Sequence, residues 1–191
     1  MTWDPVHEGR RAFDCCFRAF CEPGASIVGV PRPMMRENLR EDLAAGVLLA
    51  LLDPGIRLAV VGTDETRRLA ETICSMTGAL LSSIGEAAFV LVTDGANESV
   101  AGRAFRGTPL QPERGATVIY AGSWPSVAVT LTSPGRARDE TLALPIPVAE
   151  LDDFARVNAD GPCGVDALIV DGPSLRGLPR GVAITRVKQA A

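Results

Sequence analysis

The sequence predicts an α/β fold with a mixed sheet. Three observations lead there. Short apolar runs alternate with amphipathic stretches of helical period through the first half of the chain. The runs Leu58 to Val61 and Ala87 to Val92 are apolar throughout, the pattern of strands buried on both faces. The second half is richer in strand-like segments than in helix, so the sheet is expected to be parallel first and antiparallel toward the end. The 191 residues show no internal repeat, low-complexity segment or long linker, and residues 1–191 read as a single domain.

The elements follow in order. Val6 to Phe20 reads as a helix, with Phe13, Cys16, Phe17 and Phe20 facing inward and Arg10, Arg11, Asp14 and Arg18 in solvent. Pro23-Gly24 stops it. Ala25 to Val30 is a candidate first strand, and Pro31 and Pro33 make a loop. Asn38 is placed as an N-cap, with Glu41 completing a capping box, and the helix runs to Leu52 before Asp53-Pro54-Gly55. Its last two turns are apolar all round, as in a buried helix. After the strand at Leu58, Thr63 or Asp64 caps a helix through Met76 that Gly78 closes. Thr117 to Tyr120 and Val127 to Leu131 read as strands on either side of Gly122-Ser123-Trp124-Pro125. Val148 to Val157 is a short helix after Pro145 and Pro147. Val165 to Val170 and Val182 to Val187 are the last strands, with a turn at Asp171-Gly172-Pro173.

Composition narrows the chemistry. Net charge is −4, which gives no general reason to bind nucleic acid or an anionic membrane. All basic residues are Arg except Lys188, so neither a phosphate loop closed by Lys nor a buried Schiff-base Lys is available. The five cysteines, Cys15, Cys16, Cys21, Cys74 and Cys163, contain no C-x-x-C pair, and reduced thiols in the cytosol are expected. The N-terminal residues carry no apolar signal region. The longest apolar run, Leu43 to Leu52, is about half of a membrane span. His7 is the sole histidine, and helical spacing holds it more than two turns from Cys15, too far for a dyad. No spacing suggests a metal site.

Three residues stand out as site candidates. Glu22 follows a helix with aromatic anchors; it is either part of the helix stop or an acid at the lip of a cleft or interface. Asp166 sits at the entry of a buried strand, where it can fix neighbouring N–H groups or orient an Arg or a ligand hydroxyl. Arg180 is either an oxyanion clamp or the partner of a salt bridge, Asp166 being the obvious carboxylate. Arg103-Ala104-Phe105-Arg106-Gly107 is a short basic cluster, read as solvated or as a nucleotide-phosphate site. Trp3 and Trp124 are interface anchors or core residues.

Two terminal motifs carry a resemblance. Phe13 leads by helical spacing to Ala19-Phe20-Cys21-Glu22-Pro23-Gly24, and Pro162-Cys163-Gly164-Val165-Asp166 is followed by Leu178-Pro179-Arg180. Further matches fall at Pro5 and Val6, Leu48 to Asp53, Thr77-Gly78, Phe89 to Asp94, Gly115-Ala116-Thr117 and Ser133-Pro134-Gly135. Over nearly the whole chain the sequence resembles the H subunit (PhnH) of the bacterial carbon–phosphorus lyase core complex. It departs from that family at Asp14, where Arg is usual, and at Gly181-Val182, where a Thr pair is usual. The resemblance implies a three-layer α/β/α sandwich like the large domain of pyridoxal-phosphate transferases, without the cofactor. It implies a cytoplasmic subunit in alkylphosphonate catabolism, acting with the G, I and J subunits and functionally with the L protein. The resemblance implies that the G, H and I subunits, with the L protein, form ribose 1-phosphonate 5-triphosphate from a nucleoside triphosphate and a phosphonate, before a later radical step on the J subunit cuts the carbon–phosphorus bond. Family motifs assign no catalytic residue here, so a non-catalytic or co-catalytic role is expected. A homodimer is also expected, with contacts around Trp124 and the final strands. The alternative is a free-standing small-molecule enzyme or binding protein on a degenerate transferase scaffold, using Arg180, Asp166 and Glu22 around a cleft.

Overall fold

The computed structural model describes residues 3–95, 99–133 and 139–187. Lys188, Pro134 and Gly135 lie outside them. The architecture is mixed α/β. Helix α1 spans His7–Cys21, α2 Leu39–Leu51, α3 Asp64–Thr77 and α4 Val148–Val157. The strands are β1 (Ile27–Val28), β2 (Arg57–Val61), β3 (Leu80–Leu81), β4 (Phe89–Val92), β5 (Thr117–Tyr120), β6 (Ser126–Thr132), β7 (Glu140–Pro145), β8 (Asp166–Asp171), β9 (Ser174–Leu178) and β10 (Ala183–Arg186).

The main sheet has the order β1-β9-β8-β5-β4-β2-β3. Strands β3, β2, β4, β5 and β8 are mutually parallel; β9 and β1 close the sheet antiparallel. This is the predicted change of direction along the chain. The central strands obey the two-residue period. Leu91, Ile119 and Leu168 face one core; Val90, Val118 and Ala167 face the other. The first core is covered by α1, α2 and α3. The second is covered by α4 together with a separate antiparallel sheet, β10-β6-β7. There are therefore three layers, and the third combines strands with a helix. The sequence predicts one mixed sheet; β6, β7 and β10 instead form a second sheet, and β7 is not among the predicted strands.

Local chemistry explains the helix ends. Asn38 caps α2, its side-chain oxygen accepting from the Arg40 and Glu41 N–H groups at 3.0 and 3.3 Å. The return arm of the expected capping box is replaced: Glu41 turns to Arg36, whose Nε donates to it at 2.9 Å. Thr63 caps α3, and Gly78 ends it in the left-handed region at φ 75°.

Helix α1 corrects the sequence reading. Phe13 and Phe17 are 51% and 60% exposed, while Gly9, Ala12, Cys15, Cys16 and Ala19 are buried. Close packing of the C-terminal half of the helix is the reason, whereas Gly9, also buried, has open space beside it. A Cβ at Gly177 of β9 would lie 2.5 Å from the Ala19 carbonyl carbon, so the helix rides against the strand backbone and only small side chains fit between. The aromatic rings are left on the outer flank.

Candidate functional site

The Asp166–Arg180 pair is built by a hairpin. Strands β8 and β9 pair antiparallel, and Ala167 opposite Leu178 brings the residues just beyond, Asp166 and Arg180, to one end. The Arg180 N–H donates to Asp166 Oδ1 at 2.8 Å and its Nε donates to the same oxygen at 3.1 Å. Its Nη2 also pairs with Asp166 Oδ2. The remaining donors reach the Pro112 carbonyl and, at 3.3 Å, the Gly115 carbonyl. One guanidinium thus ties the start of β8, the end of β9 and the turn at Pro112–Arg114 into one corner. Gly115 is needed there: a Cβ would lie 2.5 Å from Arg180 Nη1.

This corner borders a cleft of about 600 Å³ at the amino ends of the parallel strands. Its walls include Phe89 and Phe105, and its polar lining carries Arg57, Arg114, Glu86 and Asp166. A volume of this size suits a small organic ligand. Its position is the reverse of the common one, since open α/β sheets usually receive ligands beyond the carboxyl ends of their strands. At that opposite end, Arg40 Nη1 donates to Ser123 Oγ at 3.1 Å, and the Ser123 N–H donates to Asp94 Oδ1 at 2.7 Å.

The other sequence candidates lie elsewhere. Glu22 is exposed at the C-cap of α1, its N–H bonded to the Arg18 carbonyl at 2.9 Å; among the described residues it pairs with neither Asp166 nor Arg180. His7 is exposed on the first turn of α1, whereas Cys15 and Cys16 are buried beneath it, so no dyad forms. Burial pushes the Cys16 thiol up to about 12, and raises Cys15 and Cys74 as well. The basic cluster divides: Phe105 lines the cleft, and the Arg106 carbonyl accepts from the Gly164 N–H at 2.9 Å. Trp3 and Trp124 are partly buried against the two cores.

One polar cluster escaped the sequence. Glu150, 2% exposed on α4, accepts from the Val100 N–H at 2.6 Å, the Ala101 N–H at 3.0 Å and the Tyr120 hydroxyl at 2.7 Å. It pins the segment after β4, which leads on to Phe105, against α4 and β5. On an amphipathic helix Glu150 reads as an ordinary solvent-facing acid. The one available hint is Tyr120, the chain's sole tyrosine, inside a strand that must be buried on both faces.

Fold and site together define a layered α/β protein with a mixed sheet and a polar corner whose acid and base are already paired. Among the described residues no helix is long and apolar enough to cross a membrane. A family model described as bacterial phosphonate metabolism protein (PhnH) matches residues 2–185. The chain belongs to that family, and the membership implies a role in bacterial phosphonate metabolism. Comparison with curated proteins yields no match.

Proposed function

We propose that this chain is a subunit of the carbon–phosphorus lyase complex in alkylphosphonate catabolism. In this reading it works with the G, I and J subunits and with the L protein in the cytoplasm. It supports formation of ribose 1-phosphonate 5-triphosphate from a nucleoside triphosphate and a phosphonate, and it self-associates. The observation that carries the reading is the family match over residues 2–185. The site agrees with a supporting role. A stand-alone acid–base enzyme needs a free, tuned group, whereas the Asp166 carboxylate is occupied by Arg180. The layered sheet is compatible with a transferase-like scaffold that has lost its cofactor, and no Lys occurs before residue 188 to carry an aldimine. Glu22 is assigned to the helix end or an interface rather than to chemistry.

The test is reconstitution. The G, I and L proteins with nucleoside triphosphate and methylphosphonate should form the ribosyl phosphonate efficiently only when this chain is added, and it should co-purify with them. Full product formation without it, together with unimpaired growth on methylphosphonate after deletion, would defeat the reading. The cleft lined by Phe89, Phe105, Arg57 and Arg114 supports the second reading, a free-standing small-molecule protein. Saturable binding of nucleotide or phosphonate to the purified chain alone, abolished by Arg114→Ala, would favour it.

A further inference from the structure

Four exposed large apolar residues gather on the side of α1, while others, such as Leu110 and Met34, lie in separate loops. Val6 is 69% exposed, Phe13 51% and Phe17 60%, and Met76 at the end of α3 is 43% exposed. Between α1 and the C-terminal ends of α2 and α3 runs a groove of about 520 Å³. Leu49 and Leu52 form its far wall. The second sheet, by contrast, covers its core, and Trp124 is partly buried there.

Gly9 carries the argument. It is the third residue of α1, and glycine forms helix less readily than alanine. Nothing in the fold requires it: a Cβ at Gly9 meets no atom within 4 Å. The space above it is the groove. A side chain from another helix seats among four residues spaced i, i+3, i+4 and i+7. Val6, Gly9, Arg10 and Phe13 have that spacing, and all four line the groove. Arg10, Phe13, Asp14 and Phe17 form the next such set, one turn on.

We infer that α1 is the self-association surface of this chain, two copies packing antiparallel so that Phe17 of each fills the hole floored by Gly9 of the other. The arrangement is self-complementary, as a two-fold interface must be. When Phe17 enters the first set of four on the second copy, Phe13 enters the second set in the same register. Charge agrees. Arg10 and Asp14 lie on one flank of the stripe and are only 4.0 Å apart within the helix. In an antiparallel pair that flank faces its own copy, so each Arg10 comes beside the second copy's Asp14. The apolar patch exposes on the order of 500 Å², at the upper end of what monomers leave uncovered. The inference rests on the proposal that the chain self-associates, and it specifies by which face and in which register.

Light scattering and sedimentation of the full chain read the first point, and a cross-link reads the second. The wild-type chain should be a dimer. Phe17→Ala should weaken dimerisation on the order of 30-fold. Gly9→Leu should fill its own hole, keep or raise the melting temperature, and run as a monomer. Cys21 is exposed and, in this register, lies across from Val6 of the second copy. A Val6→Cys variant treated with diamide should therefore form an intermolecular disulfide, its two thiols giving up two electrons to the diamide. The link should vanish when Cys21→Ser is added. A wild-type chain that is monomeric at all concentrations overturns both self-association and this surface. A wild-type dimer that Phe17→Ala and Gly9→Leu leave intact, with no Val6→Cys cross-link, overturns the surface alone.

Discussion

Two carboxylates, Asp166 and Glu150, each fasten a loop to the sheet, and they do so by different physics. Asp166 stands at the amino end of β8 with its side chain 21% exposed, held by a guanidinium that is 19% exposed. Glu150 is 2% exposed, and its described partners are neutral: two backbone N–H groups, the Tyr120 hydroxyl and, at 3.4 Å, the Ser99 hydroxyl. An ion pair near the surface is screened by salt and water. A buried carboxylate held by neutral donors is not screened, but each donor it satisfies becomes an orphan if it goes. Loops at the cleft thus hang from two anchors of unequal strength.

The largest effect is expected at Glu150. Glu150→Ala leaves the Val100 and Ala101 N–H groups and the Tyr120 hydroxyl without their acceptor, and opens a small cavity. The expected loss is about 4 kcal/mol by urea denaturation. Glu150→Gln keeps one acceptor oxygen but places an NH₂ against donors, and should cost about half as much. A loss below 1 kcal/mol for Glu150→Ala would show that this anchor is no stronger than a surface contact.

Arg180 comes next. Arg180→Ala frees the Asp166 carboxylate and the Pro112 and Gly115 carbonyls, all reachable by water, so about 2 kcal/mol is expected rather than the cost of a fully buried pair. Asp166→Asn should cost less, since an amide oxygen still accepts from the Arg180 N–H. Both losses should grow smaller in high salt, while that of Glu150→Ala should not. A stable, assembled Asp166→Asn or Arg180→Ala protein that fails to support phosphonate ribosylation would move the pair from scaffold to chemistry.

The two anchors also differ in how legible they were. The Asp166–Arg180 pairing was visible as a possibility because both residues flank terminal strands in sequence. Likewise Asn38, Thr63 and Gly78 announced helix ends by local chemistry alone. Glu150 was hidden because its partners lie between 30 and 51 residues away. Strand β9 is not marked as a strand by local sequence: it is short, follows the turn at Asp171-Gly172-Pro173 and holds Gly177, which is there for the close approach of α1. Strand β7 was hidden between charged Glu140 and two prolines. The facing of α1 failed for the same reason as β9: a helix pressed onto a strand backbone selects small residues, which overrides the usual inward preference of aromatics. Local signals are written in local sequence; long-range close contacts are not.

Tyr120 sharpens the comparison at a smaller scale. Burial, and then the neighbouring Glu150 charge, hold its phenol well above the usual value near 10. In the unfolded chain the phenol ionises normally, so the unfolded state loses a proton above pH ~10 that the folded state keeps. Stability from this group is therefore complete below that pH and declines as pH rises past it. Since Tyr120 is the only tyrosine, the phenolate absorbance band should appear together with loss of far-ultraviolet dichroism, not before it. Tyr120→Phe should cost about 1 kcal/mol at neutral pH and remove this alkaline sensitivity. A phenolate that titrates reversibly near pH ~10 in folded protein would place the hydroxyl in water and weaken the case for a dry Glu150 anchor.

The smallest expected effect lies at the edge of the same anchor. Asp153 follows Glu150 by one turn on the outer side, where the Ser99 hydroxyl first, and then Arg156 at 2.5 Å, hold its carboxyl below the usual value. A depressed folded value means that the group stabilises above the unfolded pKa of about 3.9 and loses that contribution as pH falls toward the folded value. With water on one side, the contribution is a few tenths of a kcal/mol. Ser99→Ala removes the leading cause and should shift the acid limb of the unfolding midpoint slightly upward, while leaving Glu150 its three shorter hydrogen bonds and the neutral-pH stability nearly unchanged. If Ser99→Ala instead costs as much at pH 7 as Tyr120→Phe, the hydroxyl serves Glu150 rather than Asp153. The buried anchor then has four effective donors where the 3.4 Å separation grants it three.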